Sequence, residues 1–182
     1  MPVRNSSVRY GSVAQFLHWA VVALLAVQVT LGLVAHELPA GFERLVLMSR
    51  HKSLGITILG IALLRLLWRF VDRPPPPPAM PRWQAVAARV NHWSLYVLLF
   101  ALPITGWLTS SAANRPVSWW GLVQLPDFVA PDKDLKEAFE EVHEFLVKLL
   151  YVLVGVHVAA ALKHQFLDRD GLLRRMLPGR TT

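Results

Sequence analysis

The chain has 182 residues, 54% of them hydrophobic, with a mean hydropathy of +0.39. This is too apolar for a soluble domain of its length and fits a small all-α integral membrane protein. It contains no Cys, which excludes disulfides, thiolate-held iron–sulfur clusters and covalent c-type haem attachment.

The N-terminal stretch MPVRNSSVRYGSVAQ is polar, and no small-residue cleavage site follows the first apolar run. That run is therefore expected to stay as an anchor rather than be removed as a signal peptide. Four apolar segments follow in order: Phe16–Ala35, Ser53–Phe70, Ser94–Ser111 and Val142–Phe166. Each approaches the roughly 17–25 residues that a spanning helix needs. They predict a four-helix bundle forming a single transmembrane domain over residues 1–182, with helices at about 14–36, 50–71, 88–111 and 136–166. Pro74–Pro78 is a stiff polyproline spacer between the second and third, since proline cannot continue a helix. Pro103 is expected to kink the third. The stretch from Asn114 to Asp134, rich in Pro, Asp and Trp, reads as a loop.

Charge sorts by side of this arrangement. The N-terminus, the second loop and the C-terminus carry 12 Lys and Arg against 3 acidic residues; the other two loops carry 6 against 9. The net charge of +7 is thus a membrane-sidedness signal and not a nucleic-acid footprint. Counting Lys and Arg alone, the positive-inside rule places both termini in the cytoplasm, and a bacterial inner membrane is the expected location.

Seven histidines stand at 18, 36, 51, 92, 143, 157 and 164. His143 and His157 are fourteen residues apart on the fourth segment. At 100° per residue they share one face, and at 1.5 Å per residue they stand roughly 21 Å apart. Ionisable groups at membrane depth are costly and tend to be functional. Under the predicted topology, His18 is level with His157 near the cytoplasmic side, and His51 is level with His143 near the outer side. Two bis-imidazole metal sites in one bundle core follow. Imidazole suits haem iron, copper or zinc, but tetrahedral zinc wants four ligands per centre, and two axial imidazoles per porphyrin fit better.

Geometry leaves a competitor open. His36 lies eighteen residues after His18, five full turns on, and so rates level with His51. His92 could donate to a haem propionate or sit at the interface beside Trp93. His164 reads as a solvated interfacial residue. Gly32, Gly55, Gly60, Gly106 and Gly155 permit close helix packing or leave room for a flat macrocycle. Trp19, Trp68, Trp93, Trp107, Trp119 and Trp120 read as interfacial aromatics.

At these residues the chain resembles the bacterial cytochrome b561 family of di-haem membrane proteins. The matching stretches are RYGSVAQFLHW (Arg9–Trp19), HKSLGITILGIALLRLLWR (His51–Arg69), HWSLYVLLFALPITGW (His92–Trp107), VHEFLVKLLYVLVGVHVAAALKH (Val142–His164) and DRDGLLRRMLP (Asp168–Pro178). The resemblance implies His18, His51, His143 and His157 as axial ligands, favouring His51 over His36. It implies pairing of His18 with His157 and of His51 with His143, two b-type haems per chain, and single-electron transfer to or from ubiquinone or another quinone.

Some members of the family oxidise superoxide. Others are electron-relay and anchor subunits of a partner respiratory enzyme, which is the alternative reading here. Arg44, Arg50 and Lys52, with Arg115, could steer an anion to the outer site, whereas Asp132, Asp134, Glu137, Glu140, Glu141 and Glu144 oppose it. Expected propionate partners are Arg50 and Lys52 outside, and Arg9 or Arg69 inside.

Overall fold

A computed structural model describes residues 2–177 and 179. Four long helices dominate: α1 (Ser12–Glu37), α2 (Phe42–Val71), α3 (Arg82–Ala112) and α4 (Lys133–Lys163). α1, with 26 residues, rises about 39 Å at 1.5 Å per residue, enough to cross a ~30 Å hydrocarbon layer. The other three are longer, and all four are apolar enough to span a membrane.

Their ends follow local chemistry. α1 stops where Leu38 turns extended ahead of Pro39, because a residue before proline disfavours the α region. α2 stops at an extended Asp72, just before the prolines. At the start of α4, the Asp132 side chain accepts from the Leu135 backbone N–H at 2.9 Å, satisfying one of the helix's unpaired donors. α2 begins eight residues ahead of the expected start and α3 six ahead. The added turns, Phe42–Ser49 and Arg82–Ala87, are set off from the apolar runs by charged residues, Arg50 and Lys52 in the first case and Arg89 in the second, and the helix continues through them. α3 runs unbroken through Pro103. The 114–134 loop contains a short hairpin, β1 (Ser118–Trp119) with β2 (Val123–Gln124), paired antiparallel. It turns at Trp120 and Gly121, both at positive φ. That conformation is uncommon for a bulky residue, and Trp120 is pinned by its backbone N–H to Ser53 Oγ and its Nε1–H to Thr57 Oγ1, each 3.1 Å.

The burial pattern is that of a membrane protein. Phe16, Leu33, Leu64, Val97, Phe145 and Val152 are exposed, while Gln15, Ser53, Asn91, Ser110 and Ser111 are buried. Small polar residues between helices act as interhelical glue where lipid offers no hydrogen bonds. α1 packs on α2 and α3 on α4, with α2 against α3 joining the two hairpins; α1 and α4 do not pack closely backbone to backbone.

Both termini and the α2–α3 connection meet on one face. The Tyr10 N–H reaches Arg175 O at 3.3 Å, Trp19 Nε1–H reaches Met176 O at 2.8 Å, and Arg175 donates to Pro76 O at 2.9 Å. On the opposite face the α3–α4 loop folds onto α2: Ser53 Oγ donates to Ser118 O at 3.0 Å, and Lys52 Nζ to Arg115 O at 3.0 Å.

His164 departs from the expected solvated position. It is buried in a single π-helical turn, His164–Asp168, with Nδ1 2.6 Å from Asp170 Oδ2. The chain folds back here under the bundle, so the terminal segment covers a residue that a straight helix would leave at the interface. Burial works against the charged form of Asp170, but hydrogen bonds from the Leu172 N–H and from His164 outweigh it and hold the carboxyl below its usual range.

Candidate haem-binding sites

On the terminal face, four helices bring their side chains together. His18 of α1 lies 6.3 Å from His157 of α4, centroid to centroid, and His157 lies 5.2 Å from His92 of α3. Arg65 of α2 donates from Nη1 to His18 Nδ1 at 2.7 Å and from Nε to Tyr96 Oη at 3.1 Å. One turn further along α2, the Arg69 guanidinium lies 5.5 Å from the Trp93 ring centroid and 6.0 Å from that of Tyr96.

The His18–His157 separation has a chemical meaning. Two metal–imidazole bonds of about 2 Å each, with a nitrogen-to-centroid radius of about 1.1 Å on either side, span roughly 6 Å. The 6.3 Å separation matches that span. The separation of the α1 and α4 backbones is what leaves the gap open.

Toward the opposite face the second histidine pair is oriented through its outer nitrogens. His51 Nδ1 is 3.1 Å from the Gln28 carbonyl oxygen, to which it must donate. His51 Nε2 faces the Gln28 amide nitrogen at 3.2 Å, so it presents a lone pair. His143 Nδ1 lies 3.0 Å from Thr105 Oγ1. That hydroxyl also lies 2.8 and 3.0 Å from the Ala101 and Leu102 carbonyls, and when it donates to either it accepts from Nδ1. With that donation both rings carry the proton on Nδ1 and leave Nε2 the lone pair that a metal requires, through the outer hydrogen bonds that metal-binding histidines characteristically make.

Glycine makes room at both rings. A Cβ on Gly32 would stand 3.1 Å from His51 Cε1, and one on Gly106 would stand 3.3 Å from His143 Cε1. Gln28 Oε1 is buried without a partner, a polar atom left over inside the same pocket.

Of the expected site residues, the structure brings His18 to within 6.3 Å of His157, while His51 and His143 are each held by their own neighbours, Gln28 and Thr105. His36 is exposed at the last turn of α1. His92 joins the terminal-face cluster. Arg9 does not face inward: it bonds the carbonyls of Leu177 and Gly179, so the back-folded C-terminus takes the charge that a propionate was expected to take. Gln28, Thr105, Tyr96 and Arg65 had gone unread. Gln28 and Arg65 could have been flagged, as an amide midway along an apolar run and a cation inside one. Nothing in the sequence marks Thr105 or Tyr96.

Apolar spans around a polar, histidine-bearing interior define a membrane cytochrome b. The family described as prokaryotic cytochrome b561 matches residues 9–179, and the chain belongs to it. Relatives are similar over nearly their whole length. Cytochrome b561 homolog 2 of Escherichia coli (strain K12) is 34% identical, over 97% of this chain and 95% of that protein. Cytochrome b561 homolog 1 of the same organism is 30% identical, over 94% and 98%. A probable superoxide oxidase CybB of Yersinia pestis is 30% identical, over 93% and 96%. The chain is accordingly a multi-pass bacterial membrane cytochrome that binds b-type haem and serves electron transfer.

Proposed function

We propose that the chain holds two b-type haems, one between His18 and His157 and one between His51 and His143, and moves single electrons between a donor at the membrane surface and a membrane quinone. The observation that carries this reading is the 6.3 Å approach of His18 to His157; the outer hydrogen bonds of His51 on α2 and His143 on α4 support the second site. When bound, each haem supplies reversible one-electron chemistry at an iron whose axial positions are both filled, which disfavours O₂ binding.

The residues of the chain do the rest. Helices α1, α2 and α4 fix the imidazoles, and Gln28 O and Thr105 Oγ1 hold two of them in the ligating tautomer. The exposed apolar faces seat the bundle in lipid, and the 14-residue spacing on α4 sets the two centres roughly 21 Å apart along the axis. The terminal face is the cytoplasmic one in a bacterial inner membrane, because the N-terminus, the second loop and the C-terminus carry 12 of the Lys and Arg in the sequence.

Superoxide is the donor best matched to the opposite face. Lys52 and Arg115 are drawn together there, Arg50 is exposed, and a positive mouth steers an anion. The Yersinia pestis relative carries a superoxide oxidase name. Each superoxide gives up one electron and leaves as dioxygen; a quinone takes two electrons and two protons to become quinol. The test exposes the oxidised protein to a superoxide-generating system and follows its visible bands. Bands that reduce, and that stop reducing when superoxide dismutase is added, support the donor assignment. Reduction that is indifferent to dismutase overturns it.

A further inference from the structure

Arg65 is a cation inside α2 without an anion. Among the described residues, no carboxylate lies within 4 Å of its guanidinium or that of Arg69. A charged side chain at membrane depth ordinarily pairs. Arg65 is instead braced by neutral groups: Nε bonds the Tyr96 hydroxyl, Nη1 bonds His18, and its Cζ lies 5.7 Å from the Tyr96 ring centroid. With Nε committed to Tyr96, the terminal fork of Nη1 and Nη2 remains to grip a planar, two-oxygen anion in the bidentate geometry arginine favours.

The contact with His18 adds a second constraint. Arginine cannot accept a hydrogen bond, so His18 Nδ1 must be the acceptor. Nη1 carries two N–H groups, so the fork can take an anion while Nη1 still bonds His18.

We propose that Arg65, braced by Tyr96 and with Arg69 one turn away, is the docking point for a propionate of the haem at the His18–His157 site. The proposal rests on the assignment of His18 as a ligand. It replaces Arg9, which the C-terminal carbonyls occupy. A lipid phosphate could supply similar oxygens, but Arg65 lies against the histidine itself, inside the bundle.

The test compares the wild-type chain with R65Q, R65K and Y96F. Each is produced haem-poor and loaded with haem or with its dimethyl ester, whose propionates carry no charge. With native haem, R65Q retains one of its two haems roughly ten- to hundredfold more weakly, and that haem's midpoint potential falls because a nearby positive charge is gone. R65K and Y96F lie between R65Q and wild type. With the diester, wild type and R65Q become equal. The proposal is overturned if R65Q matches wild type in affinity and in both potentials, or if the R65Q defect persists undiminished with the diester. H18A separates the two levels of the argument. If H18A keeps both haems, the ligand assignment has failed; if H18A loses one and R65Q is indifferent, only the propionate contact has.

Discussion

Gly32→Ala separates the stability of the bundle from the integrity of a haem site. The added Cβ would stand 3.1 Å from His51 Cε1 and 3.3 Å from its Nδ1, against the roughly 3.5–4.0 Å that carbon atoms prefer. The ring must back away from α1 by about half an ångström. It is held toward α1 by the 3.1 Å bond from Nδ1 to Gln28 O, and a retreat of that size carries the bond past the useful range of about 3.2 Å. Losing it costs about 0.5–1.5 kcal/mol, and losses of such outer contacts typically weaken metal binding on the order of 10- to 100-fold. The helix itself gains, since Ala in a helix interior is favoured over Gly by about 0.5–1 kcal/mol. The expected outcome is a variant whose haem-free fold melts no lower than wild type by circular dichroism, while a Soret-band titration shows one of its two haems bound about tenfold or more weakly. A variant that kept wild-type affinity at both haems would refute the reasoning, because His51 would then be free to move without consequence.

The ligand assignment makes its own demands. His18→Ala and His51→Ala should each lose one haem and keep the other, and His36→Ala should lose none, as read by haem content of the purified protein. Thr105→Val should loosen the His51–His143 haem by several-fold while leaving the His18–His157 haem unchanged; redox titration of the two components checks this, and equal effects on both would contradict the tautomer argument. Asp170→Asn should weaken the back-fold that ends on Tyr10, Gln15 and Trp19, so that limited proteolysis cuts after residue 170 faster than in wild type. The carboxyl of Asp170 titrates below its usual range, so the back-fold is stabilised above the ordinary carboxylate pKa and is lost only as pH falls through the lowered value. Proteolysis at pH 5 should therefore match that at pH 7.

The spans were legible because hydropathy and length fix them together: a run such as Phe16–Ala35 has few ways to satisfy its backbone except as a helix in lipid. The helical extensions ahead of α2 and α3 were not, since charged residues, Arg50 and Lys52 in one case and Arg89 in the other, separate Phe42–Ser49 and Arg82–Ala87 from the apolar runs. His143 and His157 could be read from periodicity alone, because both lie on one helix and the 3.6-residue turn relates them. Partners on different helices could not. Geometry rated His36 level with His51; the family resemblance favoured His51, and the fold shows His36 exposed while His51 sits against Gln28 and Gly32. The misread residues share one cause. Arg9 and His164 were placed as if the chain ended straight at the membrane surface, and a π turn with a back-folded C-terminus, held by contacts more than 150 residues apart in sequence, reassigned both.

The most direct measurement is the haem content of the purified protein, a pyridine haemochrome count per chain taken with the reduced-minus-oxidised spectrum. The proposed pairing of His18 with His157 and of His51 with His143 predicts two b-type haems per chain with sharp low-spin bands. One haem per chain would reduce one histidine pair to packing residues, and a high-spin spectrum would contradict axial ligation by two imidazoles at each centre.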